Sequence, residues 1–315
     1  MERSHLLPVA RFKHAFTTCP SLAVPAVEHL PLEDASLGVH KSTSRTKHPL
    51  VKPPPTNSAT HAEEELALQA PLGSESLAAT HSTDPTLAWE AFYPKGSINP
   101  KGSIVGGFGF YLGGPKDFAA KLTVQGGATH VVLSYRMMLQ HGWEWQKGGK
   151  LPGIFGGEGD LAYSCTGGQQ DHRCLCFNVR PMWRPEGAGE LYTYLPLLDS
   201  NNARLTAVPP YSHKNPDYGI SVGRGAFSYH NAVGRWMSVA FRVKLNSVDK
   251  EDGELELFVD GKSVITVDGL IFRTTAESRI KGAHFQTFFG GHTEEWASPQ
   301  DQRAWFADVT GAIVD

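Results

Sequence analysis

The stretch Met237-Ser-Val-Ala-Phe-Arg-Val-Lys-Leu-Asn246 carries an apolar side chain at every second position. A period of two predicts a β-strand with one face in the core and the other in solvent. The next run continues the pattern with Leu255, Leu257 and Val259, and Asp260-Gly261 then forms a two-residue turn signal before a third run at 264–267. The stretch therefore predicts antiparallel strands joined by tight turns.

Similar runs recur from Trp89 to the end of the chain, separated by Gly, Pro, Asn and Asp. Further strands are expected at 130–137, 175–184, 190–195, 219–227, 283–289 and 305–313. Regularly spaced strands without a helix-length period between them are typical of a β-sandwich. We therefore expect an all-β fold, a jelly roll of two antiparallel sheets.

Composition and charge exclude some classes of protein. The 29 basic and 32 acidic residues give a net charge of −3, which does not favour nucleic-acid binding. No apolar run reaches the roughly 18–20 residues of a membrane-spanning helix. We therefore expect neither a nucleic-acid partner nor a membrane partner, and we expect a monomer.

The first 85 residues differ in composition from the rest. Phe12 and Phe16 are the only aromatic residues before Trp89, and prolines cluster at 53–55. A segment with so few large apolar side chains buries too little surface to offset its ordering entropy. We therefore predict a low-complexity, largely disordered leader over 1–85, with a short helix at 62–70, and a folded domain over 86–315. The leader lacks a convincing signal peptide because charged residues interrupt its apolar start.

The strand expected at 175–184 has two unlike faces. Phe177, Val179 and Trp183 point to one side, and Asn178 and Arg180 point to the other. The following strand carries Glu190, Tyr192 and Tyr194 on a single face, after a Gly187-Ala-Gly189 turn. If these strands pair as a hairpin, both tyrosines share a face with Arg180. An exposed face of ordinary cross-strand pairs is the simpler interpretation.

A glycine-flanked loop, Gly149-Lys-Leu-Pro-Gly153, lies upstream and can bring its backbone close to a ligand. Together with Arg180 and the tyrosines, Lys150 makes a group suited to binding an anion and moving protons. Arg184, Gln286 and His213 are further candidates for binding the substrate, and His284 shares a strand face with Gln286.

Several of these segments resemble polysaccharide lyase family 14, and most closely its fungal branch. The resemblance runs in order through 93–97, 149–157, 176–184, 189–194, 222–225, 260–262, 285–291 and 306–309. It implies a jelly roll whose concave sheet binds acidic polysaccharide, and cleavage of alginate or glucuronan by β-elimination without a metal ion or other cofactor. It also implies Lys150, Arg180, Tyr192 and Tyr194 as the catalytic residues. Asn178 stands where the family has a serine, and its amide can still donate to a carboxylate.

The sequence leaves the proton transfers open. Either Lys150 or a tyrosine can be the base, and either tyrosine can be the acid. A tyrosine of pKa ~10 is only about 0.1% ionised at pH 7, although nearby cations lower a pKa by ~1–3 units. We therefore expect an optimum on the alkaline side of neutral. The alternative function is a non-catalytic sandwich that binds acidic glycans.

Three cysteines, Cys165, Cys174 and Cys176, fall close together. Their spacing is poor for zinc, so a disulfide from Cys165 to Cys176 or Cys174 is favoured, as in an oxidising compartment. With a polymeric substrate, this predicts an extracellular protein. The paired-carboxylate strand of many glycoside hydrolases and a complete phosphate-binding Walker loop are both missing from the sequence.

Overall fold

The computed structural model describes residues 4–56 and 83–314. It contains two nine-stranded sheets, which we call sheet I and sheet II. The strands of sheet I are β1 (His14–Thr17), β2 (Val27–His29), β4 (Leu50–Val51), β5 (Ala88–Tyr93), β7 (His130–Leu139), β14 (Met237–Lys244), β15 (Gly253–Val259), β16 (Lys262–Leu270) and β18 (Gln302–Ile313). Their order is β16-β15-β14-β7-β18-β1-β2, with β5 paired to both β18 and β4.

Sheet II carries the remaining strands. They are β3 (Val39–His40), β6 (Phe108–Leu112), β8 (Gly149–Lys150), β9 (Gly153–Gly157), β10 (Cys176–Trp183), β11 (Ala188–Tyr194), β12 (His213–Lys214), β13 (Ile220–Ser228) and β17 (Arg279–Phe289). Their order is β12-β13-β11-β10-β8-β17-β6-β3, and β9 pairs with both β10 and β17. The sandwich of two antiparallel sheets, of the jelly-roll type, is the predicted fold class.

Helices are few and short. Helix α1 spans Lys116–Thr123 and helix α2 spans Asp199–Thr206. Short 3₁₀ helices lie at Gly159–Tyr163, Pro185–Gly187, Tyr229–Ala232 and Glu294–Trp296. In the described part of the chain, no helix is both long and apolar enough to cross a membrane.

The inward faces of the two sheets form one aromatic-rich core. Phe108, Phe110 and Phe285 of sheet II stack nearly parallel, with Phe110 5.4 Å from each of the other two ring centroids. Phe306 of sheet I meets Phe108 edge-on at 5.5 Å. Because Phe177, Val179 and Trp183 join this core, β10 has its opposite face free for other contacts.

The prediction of a largely disordered leader is wrong for residues 4–56. Strand β1 pairs antiparallel with β18, and Phe16 is fully buried against Phe118, with ring centroids 4.9 Å apart. Leu6 and Leu7 are buried in a smaller cluster with Val132 of β7. The composition argument failed because the segment does not bury its own surface; it adds strands to sheets that the later chain provides. The helix expected at 62–70 lies outside the described residues.

Candidate functional site

Strands β10 and β11 pair as a hairpin, and the pairing brings the predicted site residues together. Arg180 lies opposite Tyr192, and Asn178 lies opposite Tyr194. Directly paired residues of an antiparallel ladder point to the same face, so all four share the side of sheet II away from the core. We call this side the site face. It is a packed face and not an open one, because Asn178 is 1% and Arg180 2% exposed.

Lys150 reaches the same face from β8, where it pairs with Met182 of β10 and with Phe288 of β17. Its ammonium lies 4.4 Å from the ring centroid of Tyr192 and 5.6 Å from that of Tyr194. Burial, followed by the positive charges of Arg180 and Arg184, lowers the pKa of Lys150 to about 7. A large part of this lysine is therefore an uncharged amine at neutral pH.

The two tyrosines shift in the other direction. Their rings meet edge-on at 5.4 Å, and the hydroxyl of Tyr192 accepts a hydrogen bond from the backbone N–H of Gly219 at 3.1 Å. Burial raises the pKa of both Tyr192 and Tyr194 above the ordinary value. Both therefore keep their protons at neutral pH. The expectation that nearby cations produce a phenolate is not supported, because burial outweighs them.

Arg180 is held by neutral acceptors. Its Nε donates to the carbonyl of Leu151 at 3.0 Å and its Nη1 to Oε1 of Gln286 at 3.1 Å, while Nη2 donates to the backbone carbonyl of Gln286. Burial lowers its pKa to about 10, so it stays charged at neutral pH. These bonds use three of the five N–H groups of a guanidinium. The other two are available to a carboxylate, and Gln286 acts as a support for the arginine.

Asn178 has a partner that the sequence did not predict. Its Nδ2 lies 2.9 Å from Nδ1 of His284, whose ring stacks on Tyr111 with centroids 4.3 Å apart. Burial, together with Arg180 and Lys150, holds the pKa of His284 well below its usual value, so its Nδ1 accepts the hydrogen bond. The bond to His284 uses one of the two N–H groups of the amide, so the other N–H remains for a ligand. The buried Oδ1 of Asn178 has no hydrogen-bond partner among the described residues.

Arg184 differs from Arg180 because it has an acidic partner. Its Nη2 lies 2.6 Å from Oε1 of the fully buried Glu190, whose other oxygen binds Arg224 at 2.7 Å. Its charge is balanced by Glu190, so its main effect on the site is to orient side chains and to act on the pKa of Lys150.

His213 lies at the far edge of the site face. It pairs with Ser221 of β13, which in turn pairs with Tyr192, so the three residues share the face. His213 is exposed and stacks on Tyr211 at 6.4 Å between centroids. It is separated from Tyr192 by one strand, so it can contact a long ligand but not the group beside Lys150.

The sequence analysis missed Arg173. Its guanidinium lies 4.2 Å from the ring centroid of Tyr194, and its Nε and Nη2 donate to the carbonyls of Gln169 and Tyr218 at 2.6 and 3.3 Å. It is 2% exposed and has no acidic partner among the described residues. The sequence feature that could have indicated Arg173 is the pair Cys165 and Cys176, which lies on either side of it.

A disulfide joins Cys165 to Cys176, as predicted, and leaves Cys174 as an exposed thiol. The bridged cysteines pack in one cluster with Met182, Tyr192 and Tyr194. The bridge therefore folds the loop that carries Arg173 back onto the site face. It also removes both cysteines from any zinc site.

Comparison with known proteins identifies the family of the chain. The family model described as Polysaccharide lyase 14 matches residues 81–309. The chain is similar to the crystal structure of the marine PL-14 alginate lyase from Aplysia kurodai, with 32% identity, a TM-score of 0.61, and coverage of 74% of this chain and 85% of that one. No curated protein matches the chain.

A second solved structure supports the fold. Alginate lyase vAL-1 from Chlorella virus is 24% identical, with a TM-score of 0.57 and coverage of 73% of this chain and 87% of that one. At this identity the similarity concerns the arrangement of the strands and not the chemistry.

Proposed function

Because the chain belongs to polysaccharide lyase family 14, we propose that this lyase cleaves an acidic uronate polymer, alginate or glucuronan, by β-elimination without a metal ion. One contact carries the proposal. The Lys150 ammonium lies against the ring of Tyr192, 4.4 Å from its centroid, on the face that also holds Arg180. Neither Lys150 nor Arg180 has a carboxylate within 4.0 Å in residues 4–56 and 83–314, so both side chains are available to an acidic sugar.

The chemistry requires a positive charge beside the sugar carboxylate, and groups that accept and donate protons. A base removes the C5 proton beside the carboxylate, the electron pair forms a C4–C5 double bond, and the C4–O bond breaks toward the leaving sugar. The carboxylate resists the negative charge that develops next to it. Arg180 can offset that charge with its two remaining N–H groups, and Asn178 can add one more. A donor of this kind contributes about 2.7–4 kcal/mol to transition-state stabilisation.

Lys150 is the proposed base and a tyrosine the proposed acid. An amine with a pKa of about 7 is substantially unprotonated at neutral pH, whereas a buried tyrosine with a raised pKa retains its proton for the leaving oxygen. Opposite shifts of this kind divide the roles of base and acid between neighbouring groups. This assignment replaces the phenolate base considered from the sequence.

A spectroscopic assay tests the activity. The protein is incubated with polymannuronate, polyguluronate and glucuronan while the ultraviolet absorbance of the unsaturated uronate product is followed, before and after dialysis against EDTA. Absorbance that rises equally after dialysis is expected. Binding without absorbance would instead support a glycan-binding sandwich, and a rate that is lost on dialysis and restored by added metal would contradict the metal-free mechanism.

The acid can be identified with a substrate whose leaving group needs no proton. Tyr192→Phe and Tyr194→Phe are each assayed on a uronate oligomer and on a uronate that carries a nitrophenyl group at O4. The variant of the acid loses most of its rate on the oligomer and little on the nitrophenyl substrate. If neither variant is slow on the oligomer, the proposed site is wrong.

We also propose that the protein acts outside the cell. The Cys165–Cys176 disulfide and a polymeric substrate support this proposal. Detection of the protein in culture medium from the native organism, with the disulfide intact by mass spectrometry, is the expected result. Retention of the protein inside the cell with both thiols reduced would contradict it.

A further inference from the structure

The edge of the site face is built by a segment outside the family match. Residues 39–46, which we call the N-terminal strap, begin with β3 beside β6 and continue along it. The backbone N–H of Thr43 donates to the carbonyl of Gly109 at 2.8 Å. The family model begins only at residue 81, so the strap lies outside the matched range.

The strand register shows that the site face extends from β17 through β6 to the strap. His284 pairs with Tyr111 of β6, and Tyr111 pairs with His40 of β3. These three side chains therefore point to the same side as Asn178, which bonds to His284. At ~4.8 Å between neighbouring strands, His40 lies roughly 10 Å from His284 across the sheet. The edge is thus continuous with the proposed site but too far from it to share in the proton transfers.

Aromatic rings form the surface at this edge. Tyr163, from the 3₁₀ helix at Gly159–Tyr163, meets the ring of Tyr111 edge-on at 4.8 Å. Its hydroxyl lies 3.0 Å from Nε2 of His40. Tyr111, Tyr163 and His40 are all only partly buried, so they present ring surface and polar edges together. Such a combination suits a ligand with both an apolar face and hydroxyl groups.

Lys41 adds a positive charge directly above these rings. Its ammonium lies 4.5 Å from the ring centroid of Tyr163, it is exposed, and no carboxylate lies within 4.0 Å of it in the described part of the chain. Its φ of 50° is in the left-handed region, which a non-glycine residue rarely adopts. This conformation breaks the strand alternation and turns the side chain back to the face of His40.

We propose that His40, Lys41, Tyr111 and Tyr163 form an outer subsite that binds one uronate residue of the polymer. The inference rests on the proposed function, since it assumes an acidic chain lying across the strands of sheet II. Lys41 pairs with the carboxylate of the sugar, the rings of Tyr111 and Tyr163 contact its apolar face, and His40 holds the Tyr163 hydroxyl in position. The subsite lengthens the bound segment and takes no part in bond cleavage.

Binding and kinetics as a function of chain length test the subsite. Uronate oligomers of increasing length are titrated by calorimetry into the full-length Lys150→Ala protein, with and without Lys41→Ala, because loss of the base slows turnover by about 10²–10⁴-fold. A partly exposed charge pair is worth up to about fivefold in affinity. We expect Lys41→Ala to weaken binding of long oligomers by about this factor and to leave the shortest oligomers unchanged. In the otherwise native enzyme, KM for polymer rises and kcat does not.

Two control variants separate charge from structure. Lys41→Arg keeps the charge and retains long-oligomer affinity, while Lys52→Ala removes an exposed lysine after β4 of sheet I and has no effect. Unchanged affinity at every length in Lys41→Ala, or an equal loss at every length, would overturn the subsite. A native protein that forms no unsaturated product would overturn the proposed function instead, and the calorimetric length dependence would still decide the subsite.

Discussion

Arg242 and Arg180 occupy similar positions on strands of opposite sheets, yet their surroundings are opposite. Arg242 of β14 binds Glu256 at 2.8 Å and Glu254 at 2.7 Å, and Lys244 shares Glu254. Arg180 of β10 is buried and donates to three neutral oxygen atoms. The first arginine has its charge matched within the protein, and the second does not. The difference indicates that the charge of Arg242 serves cross-strand pairing, whereas the charge of Arg180 is left for the proposed ligand.

Among the variants that test this difference, Lys150→Ala should have the largest effect on activity. Loss of a general base reduces a rate by about 10²–10⁴-fold. In the native enzyme kcat/KM should rise with pH through about 7, because the amine must lose its proton before it can act as a base. The low-pH limb of the profile should disappear in the residual activity of the variant. A limb that persists unchanged would mean that another group titrates.

Arg180→Gln should have the next largest effect. It removes the buried charge but keeps an amide donor, and loss of one preorganised donor to a developing negative charge costs about 10²–10³-fold in kcat. Stopped assays of kcat and KM against the native enzyme measure it, with thermal unfolding as the check on folding. A change in KM alone would limit Arg180 to ground-state binding.

Arg173→Gln should reduce activity by a smaller factor, about tenfold. The arginine lies over the ring of Tyr194, and its charge is also one of those that lower the pKa of Lys150. Because loss of this charge lets the pKa of Lys150 rise, the variant should move the low-pH limb of the profile to higher pH. An unchanged low-pH limb, despite reduced activity, would indicate a purely structural role.

Arg242→Gln should have the smallest effect and serves as the matched control for Arg180→Gln. Its ion pairs lie at the partly exposed outer face of sheet I, where each contributes about 0.2–1 kcal/mol. Urea unfolding should report a loss of that order, and kcat and KM should stay as in the native enzyme. Reduced activity in a fully folded Arg242→Gln protein would remove the distinction between the two arginines.

Periodicity predicted most of the fold and the centre of the site. Because side chains alternate along a strand, the spacing of Arg180, Tyr192 and Tyr194 was enough to predict that they share a face once β10 and β11 pair. Glu190 belongs to the same pattern, yet its ion pair with Arg184 was overlooked. Ion pairs depend on which rotamers meet, and strand period does not determine them.

Two parts of the site could not be predicted from the two-residue period of the strands. Arg173 lies in an irregular loop, so only the disulfide, which is a constraint between distant residues, brings it to Tyr194. The strap was missed because it belongs to the N-terminal segment, whose composition was judged by itself. The apolar residues of that segment, among them Leu6, Leu7 and Phe16, are too few for a core of their own but pack into a core built by the later strands.

The N-terminal segment also sets a practical limit on where the chain can be shortened. Between residues 14 and 51 it visits sheet I, then sheet II, then sheet I again, through β1, β2, β3 and β4. A protein trimmed to start at the family match would leave the end of β18 and the outer side of β6 as open sheet edges. Unpaired edges of this kind attract further strands, so such a fragment is expected to aggregate during expression although its matched domain is complete.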